Sequence, residues 1–211
     1  MPGRVTTVKE ITMTKVIDYY FSITSPWTYM GGQRLIEIAE RHGATINYKP
    51  VDLGGKIFPI SGGLPLPKRA PQRQAYRLAE LERWRDHLGI ALNIKPKFFP
   101  AKGWPAAGMV TAAREQGLDC ATLTNAILRA VWVEERNIDD TDTLVAIAGE
   151  CGLDGASLLA AAYSEAVVSV FDADTQEAID RQVFGAPTYI YKRGLFWGQD
   201  RLEFLDRALA G

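Results

Sequence analysis

The spacing of apolar and polar positions predicts strands near both ends of the chain and helices between them. Apolar or alternating runs, typical of β-strands, cover 16–21, 44–51, 183–191 and 195–197. Helical spacing predicts helices at 26–42, 71–88, 106–116, 142–150, 154–165, 167–182 and 201–210, with another running from Asp119 or Thr122 to about Arg136. Glycine and proline in 52–71, and recurring prolines in 96–105, predict loops.

The first strand leads directly into a helix with strong boundary signals. Ser25 stands at the N-cap position and Pro26 at the first helical position, and Gly43 follows as a C-terminal cap. A helix N-terminus presents unpaired N–H groups and the positive end of the helix dipole, so it favours a negative group. Ser25 adds a hydroxyl at this point. Taken alone, the stretch is explained more simply by Ser25 acting only as a helix cap.

The order of elements is β-α-β, a helical block, and then α-β-β-α. A βαβ unit implies parallel strands, and the complete order predicts an α/β thioredoxin-like fold with a large all-helical insertion. Residues 16–67 and 166–211 are assigned to the thioredoxin-like domain and 68–165 to the insertion. Residues 1–15 lack the apolar core of a signal peptide and are predicted to be a disordered leader.

Two predicted loops carry candidate binding residues. The loop after the second strand contains Lys56, Lys68 and Arg69, on the side of a parallel sheet where ligands usually bind; solvated surface charges are the plainer interpretation. The loop 96–105 carries three aromatic residues, which either pack on the helical core or line an apolar cavity. These aromatic residues are Phe98, Phe99 and Trp104.

Two further patterns concern packing. Within 71–88, helical spacing predicts one buried face, formed by Tyr76, Leu78, Leu81, Trp84 and Leu88.

At the entrance of the third strand, Pro187 cannot donate a hydrogen bond to a neighbouring strand, so a cis peptide at a ligand-facing bend is an expected reason for it. The last helix is expected to be capped by Gln199 or Asp200.

Composition narrows the function classes. The 211 residues are 47% hydrophobic and 23% charged with a net charge of −1, which favours neither nucleic acid nor an anionic membrane as a partner. Cys120 and Cys151 form no CxxC pair, which argues against a dithiol redox site and favours buried thiols in a reduced, cytoplasmic compartment. His42 and His87 lie near helix ends, and no spacing typical of metal ligands occurs.

Three short motifs, in this order and separated by the helical block, resemble the 2-hydroxychromene-2-carboxylate isomerase family. That family is related to kappa-class glutathione transferases and to the periplasmic disulfide oxidoreductases. The resemblance covers roughly residues 16–210. The motifs are Phe21-x-x-x-Ser25-Pro26-Trp27-x-Tyr29, Phe184-Gly185-Ala186-Pro187-Thr188 and Phe196-Trp197-Gly198-Gln199-Asp200-Arg201-Leu202.

The resemblance implies a glutathione-dependent enzyme in which Ser25 holds the glutathione sulfur. A hydroxyl donor at a helix N-terminus stabilises a thiolate and lowers its pKa, in agreement with the local pattern. The segment Ala186–Pro187 would offer backbone groups to the glutathione peptide. The γ-glutamyl end would lie at the start of the last helix, where the implied binding residues are Trp197, Gly198, Gln199 and Asp200.

In the family's reaction, the thiolate adds to an unsaturated aromatic keto acid, the former double bond rotates, and elimination restores the alkene in the other geometry. Lys56 is the predicted cation for the substrate carboxylate, and Phe98, Phe99 and Trp104 are the predicted roof. Ala186 stands where the family commonly has valine, and Gln199 where asparagine or serine is usual. A homodimer is expected, as in the relatives; the aromatic residues of the helical block would equally fill a core.

Other functions remain open on the sequence. A kappa-like glutathione transferase would use the same site. A thiol-disulfide oxidoreductase would need a cysteine thiolate at the position of Ser25. A non-catalytic binding protein on the same scaffold would use Ser25 only as a cap and would not bind glutathione.

Overall fold

The computed structural model describes residues 14–211. Within that range a mixed sheet is surrounded by helices, with one π-helical turn, Leu53–Ile57, and two 3-10 turns, Leu66–Lys68 and Gln199–Arg201. The strands are β1 Lys15–Phe21, β2 Ala44–Pro50, β3 Thr188–Tyr191 and β4 Gly194–Trp197. The helices are α1 Pro26–His42, α2 Phe58–Ser61, α3 Pro71–Leu88, α4 Ala106–Glu115, α5 Cys120–Trp132, α6 Thr141–Glu150, α7 Gly155–Ala162, α8 Glu165–Asp180 and α9 Leu202–Ala210.

The strands form one sheet in the order β2-β1-β3-β4. β1 and β2 are parallel, from Lys15 opposite Ala44 to Phe21 opposite Pro50, as a βαβ unit requires. β3 is antiparallel to both β1 and β4. The predicted α/β thioredoxin-like fold with a helical insertion is therefore confirmed, and β1 begins one residue earlier than predicted.

One buried apolar cluster joins the sheet and the helical insertion. It extends from Ile17 and Tyr19 in β1 to Val110 in α4 and to Leu123 and Trp132 in α5. The two central strands, β1 and β3, contribute stacked aromatic side chains, with the rings of Tyr19 and Tyr189 5.3 Å apart. Because this cluster is continuous, the two predicted domains share a core, and the domain boundaries remain a prediction. The leader was predicted over 1–15: Lys15 instead belongs to β1, and 1–13 lie outside the described residues.

Local side-chain caps fix where most helices begin. Ser25 caps α1 and Ser164 caps α8, and in both cases the hydroxyl oxygen accepts from the third residue's N–H at 3.3 Å. Asp119 and Asp154 cap α5 and α7 in the same way. Gly43 ends α1 in the left-handed region with φ of 59°. These boundaries were predictable because each cap and its partner lie only three residues apart.

Several predicted boundaries were wrong. α5 ends at Trp132 rather than near Arg136, and α7 ends at Ala162 because Ser164 starts the next helix at Glu165. The cap of α6 is Asp140 rather than Thr141 or Asp142. The segment 52–71 contains three helical turns rather than only loop. The third strand is shorter than predicted and begins at Thr188, after the cis bond between Ala186 and Pro187.

Two predictions about side chains were also wrong. In α3 Leu81 is fully buried, and Trp84 and Leu88 are partly buried against the core as predicted, but Tyr76 is 63% exposed because this helix covers the core along one edge only. The last helix has no side-chain cap from Gln199 or Asp200. Both residues instead belong to a 3-10 turn that precedes α9, so their side chains are not placed as caps.

Candidate functional site

A cavity of about 1240 Å³ opens at the C-terminal end of β1 and the N-terminus of α1. Its other walls are the segment after β2, the first half of α3, the segment 99–104 and the segment 184–186. We call it the Ser25 cavity. Ligand cavities commonly hold about 300–1,000 Å³, so this one has room for a peptide and a second small molecule together.

Ser25 lies at the wall of this cavity, partly buried. Its backbone N–H donates to the Ser22 carbonyl at 3.0 Å, and its hydroxyl oxygen accepts from the Thr28 N–H at 3.3 Å. Among residues 14–211 the Ser25 hydroxyl proton has no acceptor, so it is free to donate into the cavity. This hydroxyl donor without an acceptor and the positive end of the α1 dipole together favour the binding of an anion here.

A second wall is formed by the turn before β3. Ala186 lines the cavity and precedes the cis peptide bond to Pro187, and its backbone N–H and C=O have no hydrogen-bond partner within the described chain. Trp197 also lines the cavity, is 49% exposed and packs edge-on against Phe184, with ring centroids 4.7 Å apart. A side chain at Gly185 would overlap the Trp197 indole. Unpaired backbone groups and an exposed aromatic ring thus lie together at this wall of the cavity.

The segment after β4 is held next to this turn. The Gly198 N–H donates to the Pro187 carbonyl at 2.8 Å, and Gly198 has a φ of 102°, which disfavours other residues. Gln199 is only 2% exposed and turns towards α1. The Asp200 carboxylate lies 3.2 Å from Arg201. Pro187, Gly198, Gln199 and Asp200 do not line the Ser25 cavity themselves, although they lie directly beside residues that do.

The predicted substrate residues divide into two groups. Phe99 and Trp104 line the cavity, Phe99 packing on Trp132 and Trp104 on Phe171 with ring centroids 4.8 and 5.2 Å apart. Lys56 and Phe98 are not among the lining residues. Lys56 points away and donates to the Asp172 carboxylate at 2.7 Å. The cation predicted for this site is therefore engaged elsewhere on the surface.

Sequence reasoning named Arg69 as a candidate binding residue but missed the part of the cavity's cationic wall that lies on α3. Arg69, Arg73 and Arg77 all line the cavity, as does the exposed Tyr76. For Arg73 and Arg77 the available signal was their spacing of four residues, which places both side chains on one face of α3.

The two thiols are separate from this cavity. Cys120 is buried and Cys151 partly buried, both are free, and neither lines the cavity. Burial raises the pKa of Cys120 to about 11 and also raises the pKa of Cys151 above its ordinary value. A raised pKa disfavours the reactive thiolate. The described residues contain no group of three or more histidine, cysteine or acidic side chains placed to hold a metal ion.

Within residues 14–211, no single helix has the length and apolar content to cross a membrane. Only α7 and α8 taken together meet those limits, and the pair is bent by 69° at its break.

The fold and this site define a DSBA-like thioredoxin domain, and the family model of that description matches residues 16–210. The chain belongs to the 2-hydroxychromene-2-carboxylate isomerase family, as three comparisons show. The enzyme of that name from Pseudomonas putida is 30% identical over 195 residues, which cover 92% of this chain and 94% of that protein. The one from Sphingobium xenophagum is 29% identical over 197 residues, covering 93% and 99%.

A solved structure of 2-hydroxychromene-2-carboxylate isomerase superposes on this chain with a TM-score of 0.77 at 29% identity, covering 92% of this chain and 94% of that one. The family predicted from the three motifs is confirmed, and membership identifies the chain as an isomerase.

Proposed function

We propose that the chain is a glutathione-dependent isomerase of the 2-hydroxychromene-2-carboxylate isomerase type, which acts on an unsaturated aromatic carboxylate. The observation that carries the proposal is the unpartnered Ser25 hydroxyl proton at the N-terminus of α1, facing a cavity with aromatic walls. The names of the relatives support the isomerase chemistry.

The residues present fit glutathione. The free N–H and C=O of Ala186 match a peptide backbone, which would pair with them like an added strand. The start of the 3-10 turn and the Asp200 carboxylate offer N–H donors and a negative charge, which suit the carboxylate and ammonium of a γ-glutamyl group. The Gln199 side chain is held by Arg34, so this residue would contribute through its backbone N–H.

When bound, glutathione supplies a thiolate that adds reversibly to a conjugated alkene. Ser25 donates a hydrogen bond to a negative sulfur, and the α1 dipole lowers the pKa of a thiol at this position. Phe99 and Trp104 line the cavity and would shield the reacting groups from water. The chain itself therefore needs no cysteine nucleophile, in accordance with the position of both thiols outside the cavity.

The test is a glutathione titration of wild type and Ser25→Ala. Calorimetry measures the binding, and ultraviolet absorbance measures the thiolate. We expect wild type to bind glutathione as thiolate at neutral pH, and Ser25→Ala to lose the thiolate absorbance while keeping most of the affinity. Binding without isomerase turnover, but with conjugation of an electrophile, would instead favour a kappa-like transferase.

Ser164→Ala is the matched control, because Ser164 caps α8 with the same 3.3 Å bond that Ser25 makes in α1. Both variants should lose about 1 kcal/mol of stability, but only Ser25→Ala should change the thiolate. If wild type shows neither glutathione binding nor thiolate, Ser25 is only a helix cap and the proposal is wrong.

A further inference from the structure

One wall of the Ser25 cavity carries three arginines spaced four residues apart. Arg69 precedes α3, and Arg73 and Arg77 lie in its first half. Arg69 and Arg77 are partly buried, whereas Arg73 is exposed. Arg69 is fixed by a bond from its Nε to the Leu64 carbonyl at 2.7 Å. Positive charge is thus concentrated at the side of the cavity formed by α3.

The Arg77 guanidinium lies next to two aromatic rings. Its guanidinium carbon is 5.5 Å from the centre of the Phe99 ring and 5.9 Å from that of Trp132. Guanidinium groups stack on aromatic faces and keep their N–H edges free to donate. Burial first, and the charge of Arg69 second, lower the pKa of Arg77 to about 10. The Arg77 guanidinium is therefore desolvated and close to a like charge.

No acidic side chain within residues 14–211 forms an ion pair with Arg69, Arg73 or Arg77. Of the acidic side chains that the structure describes, two line the cavity, and both are engaged. Asp52 accepts from the Gly55 N–H at 2.7 Å, and Glu80 is paired with Arg83, three residues further along α3. Desolvated charges in proteins are usually paired with an opposite charge. The described residues provide no such partner for these three arginines, which favours an anionic ligand at this wall.

We propose that Arg77, assisted by Arg69 and Arg73, binds the acidic group of an aromatic ligand and sets the preference of the cavity for anionic over neutral aromatics. The proposal deepens the proposed function and rests on it for the identity of that ligand as the substrate. It assigns the carboxylate to α3 rather than to Lys56, which is held by Asp172 outside the cavity lining. The Phe99 ring beside Arg77 provides a stacking surface for the ligand's ring.

Calorimetric titration without glutathione tests this directly, using 1-naphthoate and its neutral counterpart 1-naphthamide. Losing a charged hydrogen bond to a carboxylate costs about tenfold or more in affinity. We expect Arg77→Gln to weaken 1-naphthoate binding by about tenfold or more and to leave 1-naphthamide unchanged. Arg77→Lys keeps the charge without the planar fork and should lie between. Arg85→Gln, on the same helix but bonded to Asp86 and outside the cavity lining, should match wild type.

Glutathione also carries carboxylates, which the arginines could bind in place of the aromatic ligand's acidic group. A parallel titration of each variant with glutathione distinguishes these two ligands. The proposal is overturned if wild type does not bind 1-naphthoate, if Arg77→Gln weakens both naphthalene ligands equally, or if it weakens glutathione alone. Circular dichroism checks folding; should Arg77→Gln not fold, the exposed Arg73→Gln gives a second variant with the same expected direction. The naphthalene titrations need no glutathione, so they test the arginine site alone. Failure of the proposed function would appear only in the glutathione titration, as an absence of binding and of thiolate.

Discussion

Arg34 donates from Nη1 to the side-chain oxygen of Gln199 at 2.7 Å and to the backbone carbonyl of the same residue at 3.2 Å. The pair joins the middle of α1 to the turn before α9. Because the Gly198 N–H in turn donates to the Pro187 carbonyl, one chain of hydrogen bonds connects α1 with the cis-proline turn. The structure thus gives Gln199 a clear part in holding the site's second wall.

Gln199→Ala should destabilise the fold by about 1–3 kcal/mol, since the partly buried Arg34 guanidinium loses its side-chain acceptor at 2.7 Å and keeps only the backbone carbonyl of residue 199 at 3.2 Å. Urea unfolding at neutral pH measures this change. Gln176→Ala is the control, because Gln176 is exposed and bonds only to the neighbouring Asp180, so its loss should stay within about 0.5 kcal/mol. Equal stability of the two variants would contradict the importance of the Arg34–Gln199 pair.

Arg114→Met should be among the most destabilising single changes. Arg114 donates to the Asp174 carboxylate at 2.8 Å and to the Tyr48 carbonyl at 2.9 Å, and the Asp174 side chain is only 9% exposed. Burial raises the pKa of Asp174 above its ordinary value even with Arg114 present. Removing the partner leaves a buried carboxylate, which costs about 3–5 kcal/mol.

Thermal unfolding of Arg114→Met as a function of pH checks this explanation. Asp174 can relieve the penalty by protonation, so the deficit relative to wild type should shrink as the pH falls. The double variant Arg114→Met with Asp174→Asn should recover part of the stability. A deficit that does not depend on pH would show that lost packing, and not the unpaired charge, is the cause.

Wild-type stability should fall below about pH 4.5. Burial by itself raises the pKa of Asp18, but hydrogen bonds from Arg181 and Asn47 and the charge of Lys49 bring it below its ordinary value. Glu177 likewise has a lowered pKa, since bonds from Lys49 and Tyr20 outweigh its burial. A carboxyl with a lower pKa in the native state stabilises it above the unfolded-state pKa and loses that contribution as the pH falls through the native pKa.

Urea midpoints at neutral and acidic pH measure this loss for wild type and Arg181→Gln. Arg181 contacts both Asp18 and Glu177, so its removal should lower stability at neutral pH and flatten the acid slope. An unchanged acid slope in Arg181→Gln would mean that other carboxyls dominate.

Gly155→Ala should destabilise by about 1–3 kcal/mol, because a methyl group there would overlap the Val145 backbone of the neighbouring α6. Gly149→Ala serves as the control: it lies in α6 with nothing within 4 Å of the added carbon, so helix propensity should stabilise it by about 0.5–1 kcal/mol. Opposite shifts in melting temperature are expected from this pair, and shifts of the same sign would disprove the close approach of the two helices.

Local sequence determined the features whose partners lie within a few residues. The caps at Ser25 and Gly43 and the cis bond before Pro187 were predictable, because a side chain bonding three residues along the chain, a left-handed glycine or a proline in a strand entrance leaves a short-range pattern. The order of strands and helices likewise followed from hydrophobic periods, and it led to the fold. The family came from the resemblance of three short motifs.

Tertiary structure decided which side chains face the cavity. Lys56 pairs with Asp172, which lies 116 residues away along the chain, and Gln199 pairs with Arg34, 165 residues away; no local pattern encodes either choice. Arg77 enters the cavity because α3 meets the core along one edge and turns its other face to the segment that carries Phe99. A charged residue on an amphipathic helix faces solvent or a cavity according to what packs opposite it, and that depends on the whole fold.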